Sequence, residues 1–155
     1  MAKAKNRPWA ELRSEMVQSP ARAVGTLYRR FQAAATDTYE RLGWNGATLS
    51  HVQFLTEIDE EGTRLSDVAA ALGTTKQYVG KLARELEARA LISLGADPTD
   101  RRAVLAKPTA KGRSFFADAC DVRAELEAEF LAGLSPTRAA TFVAMLGELV
   151  AARTS

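Results

Sequence analysis

The sequence predicts a mainly α-helical fold that carries one small β-hairpin. Over most of the 155 residues, apolar side chains recur every three or four positions, as they do along amphipathic helices. The period shortens once, in LISLG and RAVLAK, two apolar runs of strand length separated by the turn-forming segment ADPTD. A short helix, a glycine turn and a second helix come directly before this hairpin. That order of elements is typical of a winged helix-turn-helix.

The N-terminal part of the chain predicts three helices. Pro8 suits the first position of a helix over PWAELRSEMVQS, which ends near Ser19 and Pro20. The longer segment ARAVGTLYRRFQAAATDTYERLG carries an apolar stripe, and Gly43 suits its C-terminal cap. The segment GATLSHVQFLTEIDEEG restarts a helix, for which Ser50 is the expected N-cap.

The middle and C-terminal segments predict the remaining helices. TRL reads as a short extended link, and SDVAAALG as a compact helix with Ser66 as its N-cap. The helix over TTKQYVGKLARELEARAL is opened by Thr74 or Thr75. After the hairpin, two further helices begin at Thr109 and at Ser135, which serve as their N-caps.

Composition bounds the class of protein. Hydrophobic residues make up 46% and charged residues 26%, which is ordinary for one globular domain, and the net charge of +2 neither requires nor excludes nucleic acid. No apolar run reaches the roughly 18–20 residues of a membrane helix, and no signal peptide opens the chain, so we expect a cytoplasmic location without membrane contact. With one His and one Cys we expect no metal, no cofactor and no enzymatic activity. Cys120 is expected to be packed or half-buried in its helix.

The second helix of the helix-turn-helix has an apolar face and a cationic face. The residues expected to point inward are Val79, Leu82, Ala83 and Leu86. The opposite face carries the hydrogen-bond donors Lys76, Gln77, Lys81 and Arg84. Such a helix fits the major groove of DNA, while Thr74, Thr75 and the free N–H groups at its start suit a phosphate. A face of this kind is also found where it is merely solvated, so the pattern alone leaves both interpretations open.

The hairpin loop contains two adjacent arginines, Arg101 and Arg102. An arginine pair in a turn is usually solvent-exposed. Here it directly follows a basic-faced helix, which places two cationic elements on one side of a small fold, and such a wing can insert an arginine into the minor groove. Asp97 and Pro98 are expected to build the turn, and Asp100 to orient an arginine.

From about Leu27 to Val150 the sequence resembles the MarR family of bacterial transcription factors. Three motifs carry the resemblance: L-S-x-x-Q-F before the helix-turn-helix, D-P-x-D-x-R in the wing, and T-x-x-G at the start of the next helix. The residues that fall on them are Leu49, Ser50, Gln53, Phe54, Asp97, Pro98, Asp100, Arg102, Thr109 and Gly112. The combination is specific, whereas a helix-turn-helix alone is not.

The resemblance implies a homodimeric, sequence-specific DNA-binding regulator, most simply a repressor. Residues 1–45 and 110–155 would form a helical dimerisation region, and residues 46–109 the DNA-binding lobe. Such proteins bind double-stranded, pseudo-palindromic operators, and many release DNA when a small phenolic or aromatic effector binds. By position, Lys76, Gln77, Lys81 and Arg84 would belong to the recognition helix, with Thr74 and Thr75 on phosphates. Arg102 would enter the minor groove, oriented by Asp100, with Arg101 as its backup.

An effector pocket is hypothesised from aromatic and basic residues, although aromatic residues at helical spacing are more often part of a core. The candidates are Tyr28, Arg29, Phe31, Trp44 and His51. The arginine would pair with an anionic aromatic ligand. His51 directly follows the expected N-cap, where a solvent-facing side chain is normal.

The sequence also departs from the family pattern at three places. Ala90 stands where the family usually has glycine, Pro108 stands where it has leucine, and the first wing strand, in ISLGADP, has no arginine. Fewer basic residues predict fewer phosphate contacts and a shallower salt dependence of DNA binding. Pro108 lacks a backbone donor, so that strand end must be an edge or a bend. These departures keep open an alternative function, a winged-helix protein–protein adaptor that has lost DNA binding.

Overall fold

The structure, a computed structural model, describes residues 7–100 and 102–152. In chain order the elements are α1 (Trp9–Gln18), α2 (Pro20–Arg41), α3 (Leu49–Thr56), β1 (Thr63–Arg64), α4 (Leu65–Ala71), α5 (Lys76–Ala88), β2 (Ile92–Ala96), β3 (Val104–Pro108), α6 (Ala110–Leu131) and α7 (Pro136–Ala151). The predicted fold class, mainly helical with a small sheet, is confirmed. The chain divides into two compact units, residues 1–51 and 52–155. In the described ranges, no helix is both long enough and apolar enough to cross a membrane.

The first unit is built on α1 and α2, which contact each other. Ser19 caps α2 by accepting the Arg22 N–H at 3.2 Å, and Pro20 occupies the first turn, where its missing N–H costs nothing. The predicted C-terminal cap of α2 is confirmed, since Gly43 is left-handed with a φ of 87°. The prediction that Pro8 is the first residue of α1 is wrong. Its backbone is extended, and the helix begins one residue later, at Trp9.

Two other expectations in the first unit are wrong. His51 was expected to face solvent, but only 2% of it is exposed. Its Nδ1 accepts the Thr48 N–H at 3.1 Å, so the ring turns back onto the residue before α3, as the third-position side chain of a capping box does. The helix begins at Leu49, and Ser50, the expected N-cap, lies within its first turn.

The second unit holds an apolar core to which most of its elements contribute. The fully or nearly fully buried side chains are Phe54, Leu55, Val68, Ala69, Val79, Leu82, Ala83, Leu86, Leu91, Ile92, Ala106, Phe115, Ala119, Val122 and Leu126. The inward stripe predicted for the second helix of the helix-turn-helix is thus confirmed. Cys120 is exposed, contrary to expectation, because it follows Ala119 by one position and so lies about 100° around α6 from the buried stripe.

Close packing at the start of α6 explains the T-x-x-G motif. Thr109 caps the helix by accepting the Gly112 N–H at 2.9 Å, and its own N–H and hydroxyl both reach the Leu91 carbonyl, at 3.1 Å each. A Cβ on Gly112 would lie 1.9 Å from that same carbonyl oxygen. Only glycine therefore allows α6 to approach the segment before β2 this closely.

The sheet is antiparallel, with the strand order β1-β3-β2. The predicted hairpin is confirmed, with Leu94 opposite Ala106 and Gly95 opposite Leu105. The predicted extended link is a strand in its own right, since β1 places Thr63 and Arg64 against β3. Pro108 lies beyond the span of β3 that β1 covers, so its missing N–H breaks no bond to β1.

The start of α4 also differs from the prediction. Arg64 has extended dihedral angles because it belongs to β1, and the helix follows at once from Leu65. Ser66, the expected N-cap, consequently lies one residue inside the helix. Residues 63–100 and 102–108 are called the winged helix below, and residues 97–100 and 102–103 the wing loop.

Candidate nucleic-acid interface

The turn between α4 and α5 has the geometry of a tight helix-turn-helix. Gly73 is left-handed with a φ of 59°, and the Gly73 and Thr74 N–H groups bond back to the carbonyls of Ala70 and Ala69. Thr75 then caps α5, since its Oγ1 accepts the Tyr78 N–H at 3.2 Å. The hydroxyl hydrogen of Thr75 remains available to donate, and the first N–H groups of α5 are directed out of its N-terminus. This helix start can therefore hold a phosphate.

The face of α5 opposite the core is exposed and cationic. Its exposed members include Lys76, Gln77, Lys81 and Arg84, whereas Thr74 is half-buried. Lys81 pairs with Glu85 at 3.7 Å, an exposed contact between neighbouring turns that leaves the ammonium group accessible. The four donors can therefore reach base edges or phosphates without a change in the fold.

Gly80 lies on the exposed side of α5, and a helix-interior glycine needs a reason. Close packing is not the reason among the described residues, because a Cβ there would meet only the Arg84 guanidinium, at an ordinary 3.7 Å. A side chain at this position of the cationic face would therefore fit without displacing a neighbour.

Tyr78 is a candidate site residue that the sequence patterns did not single out. Its side chain is 41% exposed, in the first turn of α5 and three residues before Lys81. An exposed aromatic residue beside a helix N-terminus can contact the thymine methyl group or stack against a sugar. Tyr78 directly precedes the predicted inward residue Val79, and neighbouring residues lie about 100° apart around a helix. The helical pattern could therefore have indicated that Tyr78 is turned away from the core.

The wing loop is fixed by a network that joins it to β1. The Asp97 carboxylate accepts the Thr99 N–H and hydroxyl, both at 2.7 Å, and the Arg64 Nε at 2.6 Å. Arg64 also donates from Nη2 to the Thr99 hydroxyl at 3.1 Å. The expectation that Asp97 builds the turn agrees with these bonds, but the part played by Arg64 was missed. No local pattern could reveal it, because 33 residues separate the two partners.

The same network sets the ionisation of Asp97. Hydrogen bonds from the Thr99 hydroxyl and N–H, and then from Arg64, hold the pKa of the Asp97 carboxyl well below its ordinary value. Asp97 raises the pKa of Arg64 in turn, first through the hydrogen bond and then through its charge. Both groups are therefore charged throughout the physiological pH range.

The tip of the wing loop presents Arg102 to solvent. The Asp100 carboxylate accepts the Arg102 backbone N–H at 3.0 Å, and the Asp100 carbonyl accepts the Ala103 N–H at 2.9 Å. Asp100 thus contacts the main chain of Arg102 and shapes the turn from which the guanidinium extends. Arg101 lies outside the described residues.

A hydrogen bond joins the wing to α5 directly. The Glu87 Oε1 accepts the Leu94 N–H at 3.3 Å, which connects the last turn of α5 to the middle of β2. The cationic face of α5 and the wing thus belong to one compact unit with hydrogen bonds between its parts.

The residues of the hypothesised effector pocket lie in the first unit. Tyr28 and Arg29 are exposed on α2, Phe31 and Trp44 are half-buried, and His51 is buried. The Arg29 Nη2 donates to the Thr26 hydroxyl at 3.0 Å, a local contact along the helix. In the part of the chain that the structure describes, no group of three or more His, Cys, Asp or Glu side chains could hold a metal ion.

A sequence model described as the MarR family matches residues 45–103. Over these residues the sequence therefore resembles the MarR family. No curated protein matches the sequence. The chain is similar in structure to BpsR of Bordetella bronchiseptica, with a TM-score of 0.70 and 22% identity over 86% of this chain and 94% of the other. It is also similar to MepR of S. aureus in complex with DNA, with a TM-score of 0.73 and 20% identity over 86% and 98% of the two chains. A crystal structure of MarR gives a TM-score of 0.75 and 17% identity over 97% and 93%.

These likenesses establish the fold of MarR-family transcriptional regulators for this chain. The resemblance stated from the sequence motifs is confirmed, since the matched residues contain two of the three motifs that carried it.

Proposed function

We propose that this protein is a sequence-specific DNA-binding transcriptional regulator. The observation that carries the proposal is the exposed row of donors on α5 in the same compact unit as Arg102 at the wing tip. In this function Lys76, Gln77, Lys81 and Arg84 read the major groove, and Thr74 and Thr75 hold phosphates. Arg102, with Arg101 as its backup and Asp100 shaping the turn, reads the minor groove.

The active species is a homodimer. α7 has no buried residue, and its exposed apolar side chains include Phe142, Val143, Met145, Leu146, Leu149 and Val150. α1 likewise has no buried residue, and Trp9 is 78% exposed. An apolar helix is not stable with both faces in water, so a second copy is the natural cover. A two-fold dimer would present two recognition helices to a pseudo-palindromic operator.

The outcome of binding is repression, relieved by a small aromatic or phenolic acid. BpsR supports this part, since its structure concerns the regulation of its DNA binding by 6-hydroxynicotinic acid. The exposed Arg29 and Tyr28 and the half-buried Phe31 and Trp44 offer a cation and aromatic surfaces for such a ligand. His51, which is buried and bonded to Thr48, would line the site from its inner side rather than capture ligand from solvent.

The deciding experiment is the selection of bound duplexes from a random-sequence DNA library, followed by binding measurements on the selected duplex. Arg102→Ala should weaken binding by about 1–3 kcal/mol if it makes a specific contact. Arg123→Ala is the matched control, because Arg123 pairs with Glu127 on α6 at 2.7 Å and lies outside the winged helix. Equal affinities of wild type and Arg102→Ala would show that Arg102 makes no contact with DNA.

A protein–protein adaptor remains the second candidate, because β2 carries no positive charge. The two functions differ in the salt dependence of DNA affinity. A DNA-binding regulator loses affinity steeply as salt rises, with a slope that counts the phosphates it neutralises. An adaptor would bind DNA weakly at every salt concentration and would select no sequence from the library.

A further inference from the structure

We infer that Arg64 is a positioning residue for the wing, which holds the wing loop in its DNA-binding geometry through Asp97 and Thr99. The inference rests on the proposed function. It gives a role in DNA binding to a residue that lies outside both the recognition helix and the wing.

The geometry of the contact is that of a clamp. Arg64 uses two nitrogens of one planar guanidinium, Nε on Asp97 and Nη2 on Thr99, and Asp97 in turn holds the N–H and hydroxyl of Thr99. Three residues thus restrain one another, and the Asp97 side chain is only 6% exposed. A planar donor that holds two acceptors fixes direction as well as distance.

The position of Arg64 in the chain determines which parts of the winged helix the clamp connects. Arg64 is the last residue of β1 and immediately precedes α4, the first helix of the helix-turn-helix. Asp97 immediately follows β2 and opens the wing loop, whose other end is closed by the bond from the Asp97 N–H to the Ala103 carbonyl at 3.1 Å. The clamp therefore links the loop that carries Arg102 to the start of the helix-turn-helix.

Charge gives an unusually clear test of this role. Removing Asp97 raises the net charge of the protein, which by Coulomb attraction alone would strengthen binding to DNA. If Arg64 contacted a phosphate itself, the loss of Asp97 would also free its guanidinium for that contact. If Arg64 instead positions the wing loop, removal of Asp97 should weaken DNA binding, because replacing either Arg64 or Asp97 releases the loop.

The experiment measures the affinity of the full chain for the duplex selected by wild type from a random library, by fluorescence anisotropy. Arg64→Ala and Asp97→Ala should each weaken binding about tenfold, and the double variant should be no weaker than either alone, because both remove one clamp. Arg123→Ala, which breaks an exposed arginine–carboxylate pair on α6, should bind like wild type. Tighter binding by Asp97→Ala would overturn the inference.

Conservative variants separate positioning from direct contact. Arg64→Lys keeps the charge but cannot hold both acceptors in one plane, so its affinity should fall between those of wild type and Arg64→Ala. Full affinity of Arg64→Lys would indicate a simple phosphate contact and would contradict the clamp. Thr99→Ala keeps both charges and removes one acceptor, and it should give a smaller loss than Arg64→Ala.

A readout without DNA keeps this inference separate from the proposed function. Amide hydrogen exchange should accelerate in residues 97–103 of Arg64→Ala, while protection in the centre of α5 stays as in wild type. Unchanged exchange in the wing loop would refute the clamp even if DNA binding fell. If wild type selects no duplex, the proposed function fails, and the exchange experiment still decides whether Arg64 holds the loop.

Discussion

Replacing Ala90 by glycine should stabilise this protein, although the substitution removes a methyl group. Ala90 is the one non-glycine residue with a positive φ, 57°, in the described part of the chain. It follows α5 in a hydrogen-bonded helix end, in which the Ala90 N–H bonds to the Glu87 carbonyl at 2.8 Å and the Leu91 N–H bonds to the Leu86 carbonyl at 2.9 Å. Glycine meets this backbone conformation without a steric penalty.

The magnitude follows from two opposing effects. An alanine held in the left-handed region costs roughly 1–2 kcal/mol, and the substitution by glycine removes this cost. It also gives the unfolded chain more conformational freedom, which offsets about 0.4–1 kcal/mol of the gain in stability. Ala90 is exposed, so little apolar contact is lost with its methyl group. The net expectation is a gain of about 0.5–1 kcal/mol, or an increase of roughly 1–4 °C in Tm for a chain of this size.

Gly73 provides a control, because the reverse substitution can be made there in an equivalent turn. The turn after α4 has the same pair of hydrogen bonds and a φ of 59°, and a Cβ there would meet nothing within 4 Å. Gly73→Ala should therefore destabilise by about the amount that Ala90→Gly stabilises. The two positions lie beyond opposite ends of α5, so the double variant should return close to wild type.

Chemical denaturation followed by circular dichroism, at one fixed protein concentration, measures all four proteins. The reasoning is refuted if Ala90→Gly is neutral or destabilising while Gly73→Ala is destabilising. In that case the backbone conformation would not govern the difference.

The remaining predictions concern other parts of the second unit. Gly80→Ala should raise the unfolding free energy by about 1 kcal/mol but weaken binding to the selected duplex, and a variant that gains stability without losing affinity would rule out a close approach of DNA. Gly112→Ala should cost about 3 kcal/mol or more in a denaturant titration, since its Cβ would lie 1.9 Å from a backbone oxygen; a loss under about 1 kcal/mol would contradict that packing. Because the pKa of Asp97 is lowered on folding, the stability it contributes is full above about pH 4 and disappears as pH falls further. The stability difference between wild type and Asp97→Asn should thus be constant from about pH 5 to 8 and shrink below about pH 4, and a change near neutrality would argue against the network. Leu149→Lys should shift sedimentation towards the monomer, and an unchanged mass would place the dimer contact elsewhere.

The helical parts of this fold could be predicted because their signals are local. The inward stripe of α5, the caps at Thr75 and Thr109 and the glycine at position 43 each depend on residues within about one turn of one another. The same is true of the hairpin, whose two strands are close in sequence and separated by turn residues. Periodicity and capping chemistry are properties of short segments, so the amino-acid order alone contains them.

Where local signals competed, the prediction failed for a traceable reason. Ser66 has the chemistry of an N-cap, but Arg64 is drawn into β1 by pairing with β3, and the helix begins at once after it. His51 follows Ser50, which also has the chemistry of an N-cap, yet α3 begins one residue before that serine, and the His51 ring is buried and accepts the Thr48 N–H. The first failure comes from pairing with a distant strand, and the second from a side-chain bond between residues three positions apart.

The sequence by itself determined the class of fold, the order of its elements, the cationic face of α5 and the position of Arg102 in a wing loop. The tertiary structure alone decided that Thr63 and Arg64 form a strand, that a backbone oxygen leaves room only for glycine at position 112, and that Asp97 is held by Arg64. The physical reason is distance along the chain. Helices and tight turns are stabilised by neighbours in sequence, whereas an ion pair that spans 33 residues exists only after the sheet has brought its two partners together.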